Sequence, residues 1–278
     1  MDKRPIGIFD SGLGGLTAVK EFGELNSRED IIFFGDTARV PYGTRTAETI
    51  TQYALEDMSF LLSKGVKLII AACGTVSSTL PERYARACSV PFVDVVGPTA
   101  SAAASATKNG KIAVLGTPAT IRSGAFVRAI TAISPDLQCF PVACPLFVPL
   151  VENGYFGSQN EVARIIARQY LAPLAERGVD TVLLGCTHYP LLSDVIFEAL
   201  DGRATLINSG RETVIHVLSF LEKLGLENNS GGEWQLFTSD NPDGFSSLGE
   251  IFLGHALRHE VKRADIFSVS LNKCFRGV

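Results

Sequence analysis

The 278 residues hold no CxxC pair, no block of lysine or arginine, and no apolar run near the roughly 18 residues of a membrane span. Each absence removes a class of function. Without paired cysteines, neither a thioredoxin-like redox motif nor a zinc ribbon is written locally. Without a basic block, and with a net charge of −4 and a pI near 5.6, nucleic acid and anionic membrane are poor partners. The opening Met1-Asp2-Lys3-Arg4-Pro5 carries no apolar signal core, so a cytoplasmic protein is expected, with its six cysteines reduced. No P-loop, dinucleotide fingerprint or divalent-metal motif is present, so no cofactor is expected. What is abundant is apolar side chain: 46% hydrophobic against 19% charged, enough to build one large or two ordinary α/β cores.

The chain is organised around a phrase that occurs twice. Lys64-Gly65-Val66-Lys67-Leu68-Ile69-Ile70-Ala71-Ala72-Cys73-Gly74-Thr75 reads as a helix end, a turn, a buried strand and a cysteine. Arg177-Gly178-Val179-Asp180-Thr181-Val182-Leu183-Leu184-Gly185-Cys186-Thr187-His188 repeats it, with 113 residues separating Gly65 from Gly178 and Cys73 from Cys186. Two cysteines are thus presented from equivalent places. A lone cysteine in an apolar strand is ordinarily a small buried hydrophobe. Two at matched strand ends, each followed by hydroxyl residues, suit an acid and a base on opposite faces of a substrate carbon. A zinc site from Cys73, Cys186 and His188 is the rival reading, though no fourth ligand stands at usual spacing. Cys73, ahead of the helix opening at Thr75, is expected to have its thiol pKa lowered by the helix field. Cys88, Cys139, Cys144 and Cys274 have no such setting and read as structural.

Strands alternate with helices elsewhere. Ile6–Phe9 leads into Asp10-Ser11-Gly12-Leu13-Gly14-Gly15, a glycine-rich strand-to-helix loop. Asp10 there would repel a phosphate and suits an amino group or a proton; the plainer alternative is a helix cap. Ile31–Phe34 precedes a turn at Pro41-Tyr42-Gly43 with free backbone donors. Apolar spacing predicts a helix over 46–63. Lys111–Gly116 with Thr117 and Thr120 mirrors the opening segment. Glu152 follows a further strand at 137–142, and Ser158-Gln159-Asn160-Glu161 has the form of a capping box. Asn228–Gly232 has hairpin chemistry, Glu233–Thr238 reads as an edge strand, and a last helix is expected near 245–253. Strand carboxyl ends, where such folds place their sites, carry Asp10, Cys73, Thr117, Glu152 and Cys186.

Three separated stretches also resemble a known family: Phe9-Asp10-Ser11-Gly12-Leu13-Gly14-Gly15-Leu16-Thr17, Asp36-Thr37-Ala38-Arg39-Val40-Pro41-Tyr42-Gly43, and Gly185-Cys186-Thr187-His188-Tyr189-Pro190-Leu191-Leu192. They look like the signatures of the glutamate racemases, a cofactor-independent branch of the aspartate/glutamate racemase superfamily. The resemblance implies an α/β fold of two pseudosymmetric domains, each a mostly parallel sheet flanked by helices, with the active site at their interface. It sets the first domain at 1–97 plus 208–278 and the second at 98–207. It implies interconversion of L- and D-glutamate, D-glutamate supply to peptidoglycan synthesis, and a homodimer. Carried over, Cys73 and Cys186 are the paired acid and base, assisted by Asp10, His188 and Glu152. Asp10, Ser11, Pro41, Tyr42, Gly43, Gly74, Thr75, Thr117, Thr120, Thr187 and His188 form the substrate set. One departure stands out: Gly74 occupies the position where the family usually has Asn. It leaves open a different amino acid substrate, or a ligand-binding protein without catalysis.

Overall fold

The computed structural model describes residues 1–257 and 259–266; Cys274 and the end of the expected 208–278 segment lie outside the described residues. In chain order the elements are β1 (Ile6–Asp10), α1 (Leu16–Glu24), β2 (Ile31–Gly35), α2 (Ala47–Ser63), β3 (Leu68–Ala71), α3 (Gly74–Thr79), α4 (Glu82–Ala87), β4 (Phe92–Asp94) and α5 (Val96–Ala106). There follow β5 (Lys111–Gly116), α6 (Pro118–Ser123), α7 (Ala125–Ile133), β6 (Gln138–Ala143), α8 (Phe147–Glu152), α9 (Glu161–Glu176), β7 (Thr181–Leu184) and α10 (Ser193–Ala199). The chain closes with β8 (Thr205–Asn208), α11 (Ser209–Leu224), β9 (Trp234–Thr238), α12 (Pro242–Leu253) and β10 (Val261–Arg263).

The strands form two sheets, ordered β10-β9-β2-β1-β3-β4 and β6-β5-β7-β8, and every strand pairing in both is parallel. The apolar runs account for this. β1, β2, β3 and β7 are buried along their whole length, as parallel strands covered by helices on both faces must be. The order β2-β1-β3-β4 recurs as β6-β5-β7-β8, so each sheet reverses its winding once: between β1 and β3, and between β5 and β7. A crevice opens at the strand carboxyl ends of such a switch point. Cys73 leaves the first switch and Cys186 the second, which is the structural meaning of their repeat. The glycines of the repeated phrase do equivalent work. Gly65 (φ +74°) and Gly178 (φ +67°) turn the chain out of α2 and α9 in the left-handed conformation, which a side chain would disfavour.

Four local expectations are corrected. The loop at Asn228–Gly232 makes no hairpin, because β9 pairs parallel to β2 with Phe33 opposite Leu236. Its asparagine and glycines instead seat it on β2's entry: the Asn228 N–H donates to Glu29 (2.8 Å), and those of Gly232 and Glu233 to Asp30 (2.8 and 2.9 Å). Nor is β9 an edge strand, since β10 covers it. Finally, α9 is capped by the Asn160 side chain, which accepts the Ala163 N–H at 3.0 Å, rather than by a box from Ser158. The last helix begins at Pro242, three residues earlier than expected, because Asn241 caps it and proline suits its first turn.

Candidate active site

Both cysteines line one cavity of about 240 Å³ between the carboxyl ends of the two sheets. This volume suits a small metabolite rather than a polymer. Cys73 leaves β3 through Ala72 and caps the short α3; Cys186 leaves β7 through Gly185. Ser11 and Gly12 come from the loop after β1, and Val40 to Thr44 form a continuous stretch of wall. Thr117 and Pro118 begin α6; Val148, Pro149 and Glu152 lie on α8. Among the described residues, no lysine or arginine is in the lining.

Each thiol has its own partners. The Cys73 Sγ donates to the Ser11 hydroxyl at 3.4 Å. Cys186 Sγ lies 3.9 Å from His188 Nδ1, and the other ring nitrogen, Nε2, is 3.1 Å from Glu152 Oε1. Carboxylate, imidazole and thiol therefore run in line from Glu152, which is partly open to solvent, to the buried Cys186. Asp10 ties this chain to the first sheet. Its Oδ2 accepts the Gly12 N–H (3.1 Å) and its Oδ1 the Thr187 hydroxyl (3.4 Å), which also lies 3.4 Å from His188 Nδ1. Across the cavity, the Thr75 and Thr117 hydroxyls are 3.0 Å apart, and Thr117 is 3.0 Å from Thr120.

Burial dominates the electrostatics and reverses one expectation. The Cys73 thiol is pushed up to about 11, first by loss of solvent and then by the Asp10 carboxylate, against smaller help from Ser11. Burial likewise raises Cys186 well above an ordinary thiol, with Cys73, Asp10 and Glu152 adding to it. The helix field expected to lower Cys73 belongs to a helix of six residues, too short to offset removal from water. Burial also raises Asp10, opposed by His188. Burial thus biases both thiols toward their protonated form.

This carries a stability consequence. A thiol near 11 in the folded chain and about 8.5 unfolded keeps its proton longer when folded. Its contribution is complete below about pH 8.5 and is lost as pH rises toward 11, on the order of 3 kcal/mol. Denaturant unfolding between pH 7 and 11 should show this loss, and Cys73→Ser should reduce it.

Gly74 has a steric explanation. A Cβ there would stand 2.0 Å from the Gly185 carbonyl oxygen. The residue after the first cysteine and the residue before the second are in direct contact, so the strand ends bearing the thiols meet with no side chain between them. Asn at this position would need them to separate by about an ångström before reaching even the 3.0 Å floor for real Cβ contacts. Gly74→Ala is accordingly expected to cost on the order of 1–3 kcal/mol in thermal or denaturant unfolding and to slow turnover by spreading the thiols. An unchanged melting curve would contradict this packing.

Among the residues singled out from the sequence, Cys73, Cys186, His188, Glu152, Ser11, Pro41, Tyr42, Gly43, Gly74, Thr75, Thr117 and Thr187 all line the cavity. Asp10 and Thr120 stand behind the wall and reach it through Thr187 and Thr117. Tyr42 is buried and its hydroxyl points away, to Asp36 and Asp57, so it offers the cavity its backbone. Sequence reasoning missed Thr44, Val148, Pro149 and above all Cys144, read as structural, which is buried but forms part of the wall. The available signal was its place directly after β6, the same strand-end position that marked the other two cysteines. Among the described residues, no group of three or more His, Cys, Asp or Glu is arranged to hold a metal, and no helix is long and apolar enough to cross a membrane.

The profile of a family described as Asp/Glu/Hydantoin racemase matches residues 19–216. A glutamate racemase of Geobacter metallireducens is 46% identical over 98% of both chains. The crystal structure of a glutamate racemase from Francisella tularensis in complex with D-glutamate superposes with a TM-score of 0.88 at 34% identity, covering 96% of this chain and 100% of that one. The glutamate racemase from Thermus thermophilus in complex with β-chloro-D-alanine gives 0.85 at 41% identity, covering 95% and 98%.

Proposed function

Because this chain belongs to the Asp/Glu/Hydantoin racemase family, we propose that it interconverts L- and D-glutamate without a cofactor, with Cys73 and Cys186 as acid and base. The observation that carries this reading is the pair of thiols on one small cavity, each delivered by the switch point of a different sheet. A thiol on either side of the α-carbon lets one remove its proton while the other returns a proton from the opposite face, which inverts the centre.

The α-proton is weakly acidic, so the site must stabilise the charge that builds on the substrate carboxylate. With no lysine or arginine among the described lining residues, that task falls to neutral donors: the hydroxyls of Ser11, Thr75, Thr117 and Thr187 and the backbone N–H groups of the 42–44 and 74–75 segments. Such preorganised donors hold both substrate carboxylates without pinning a thiolate in an unproductive ion pair. Because burial raises both thiols, the base needs a neighbouring proton acceptor to form. Asp10 and His188, linked through Thr187, are the groups placed to meet the substrate ammonium and to take the Cys186 proton, with Glu152 stabilising the imidazolium. The names of the relatives favour glutamate over aspartate, and Gly74, accounted for by packing, no longer argues for another substrate.

The direct test incubates purified, metal-free chain with either enantiomer and separates the products on a chiral column. An equal mixture should form from both starting points. No D-glutamate from L-glutamate would overturn the reading. From the resemblance we also infer a homodimer, which sedimentation would test, and D-glutamate supply to peptidoglycan synthesis, which depletion of the protein in cells would test.

A further inference from the structure

The Val40–Thr44 wall of the cavity has a support on its far side that the chemistry above does not use. Tyr42 inserts from this wall into the first sheet's helical cover, only 1% exposed, with its ring 5.3 Å from that of Tyr53 on α2. Its hydroxyl meets two carboxylates, Asp36 at the end of β2 and Asp57 on α2, both 0% exposed. Arg39 threads the same cluster. Its Nε donates to Asp36 Oδ2, its Nη2 to Asp57 Oδ1 (3.1 Å) and its Nη1 to Glu56, and its guanidinium lies 4.0 Å over the Tyr53 ring. Gln52 holds the other oxygen of Glu56 at 2.6 Å. Ser239, after β9, donates to Asp36 Oδ1 at 2.7 Å.

Counting protons resolves the cluster. Asp36 accepts from Arg39, Tyr42 and Ser239, three donors that suit an ionised carboxylate. The phenol has one proton and spends it on Asp36. The remaining contact, Tyr42 oxygen to Asp57 Oδ2 at 3.2 Å, then lacks a proton unless Asp57 supplies it. One guanidinium also cannot neutralise three carboxylates in so dry a place.

We propose that Asp57 is a neutral carboxylic acid that donates to the Tyr42 oxygen and, with Asp36 and Arg39, positions the Pro41–Gly43 wall for the substrate. Burial and the neighbouring Asp36 carboxylate both push Asp57 well above the ordinary carboxylate range, against the pull of Arg39 and Tyr42, in keeping with that state. The groups facing it are Asp36, Arg39, Tyr42 and Glu56. Asp57 touches neither substrate nor thiol; it is a positioning residue. The role rests on the racemase reading, whereas the protonation state does not.

The test compares Asp57→Asn with Asp57→Ala. An amide reproduces a neutral acid here, with its oxygen toward Arg39 and its NH₂ toward the Tyr42 oxygen. Asp57→Asn should keep KM for glutamate within about threefold of wild type, less than one ordinary hydrogen bond is worth. Asp57→Ala should raise KM about tenfold or more, with kcat less affected, because a wall shifted by an ångström misplaces the substrate. Wild-type KM should rise as alkaline pH ionises Asp57, and Asp57→Asn should remove that rise. If Asn is as damaging as Ala, or if both leave KM unchanged in an active enzyme, the proposal is wrong. Infrared spectra give a readout that needs neither turnover nor a well-folded alanine variant. A carbonyl band of a protonated carboxylic acid should be present in wild type and lost in Asp57→Asn. Its absence from wild type overturns the proposal; its presence in a chain that racemises nothing would overturn the racemase reading and leave the neutral acid standing.

Discussion

Alanine at position 73 or at position 186 should each lower the racemisation of glutamate by about 10²–10⁴-fold, the range for losing one acid–base group. Neither thiol is needed to hold a substrate carboxylate, so KM should move little. Serine should do no better than alanine. Its hydroxyl can replace the Cys73 bond to Ser11, but it does not ionise where burial already holds a thiol near 11. The double variant should lose little beyond either single one, because the two groups act as a unit and either loss stops inversion. Steady-state kinetics from both enantiomers check this. The enantiomers have equal free energy, so kcat/KM must fall equally in the two directions in any variant; a fall in only one would signal a contaminating activity.

The second large effect is expected at His188. Its Nδ1 faces Cys186 and its Nε2 faces Glu152, and it also opposes the burial that raises Asp10. His188→Ala removes the residue proposed to accept the proton of one thiol. We expect kcat to fall on the order of 10²-fold with KM little changed. Glu152→Gln should fall less, because Glu152 keeps 38% of its side-chain surface in solvent and water can replace part of its support. Equal losses at the two positions would contradict the relay drawn from Glu152 to Cys186.

How much of this could be read in the chain beforehand depended on whether the signal was local. Cys73 and Cys186 were legible because a fully buried parallel strand is a continuous apolar run, and its end is marked by a glycine or a small residue. The glycine turns at Gly65 and Gly178 were legible for the same reason. The Asn228–Gly232 loop was misread because turn residues do not say whether the next strand pairs with its neighbour in sequence or, as β9 does, with β2 about 200 residues earlier. The Cys73 thiol pKa was misjudged in sign because a helix start is visible in sequence and desolvation is not. Asp57 was invisible for the related reason that nothing in Leu55-Glu56-Asp57-Met58 tells which of two adjacent carboxylates turns inward. Gly74 left another substrate open until the Gly185 carbonyl was seen to occupy the space of its missing side chain.

The central claim is that the two thiols address opposite faces of one carbon. Proton NMR of each glutamate enantiomer in D₂O, with Cys73→Ser and Cys186→Ser in turn, tests it most directly. A single remaining thiol can still remove the α-proton from the face it addresses and return deuterium to that same face. Each variant should therefore exchange the α-proton of one enantiomer without inverting it, and the two variants should choose opposite enantiomers. Exchange of the same enantiomer by both variants, or full racemisation by either, would contradict the account.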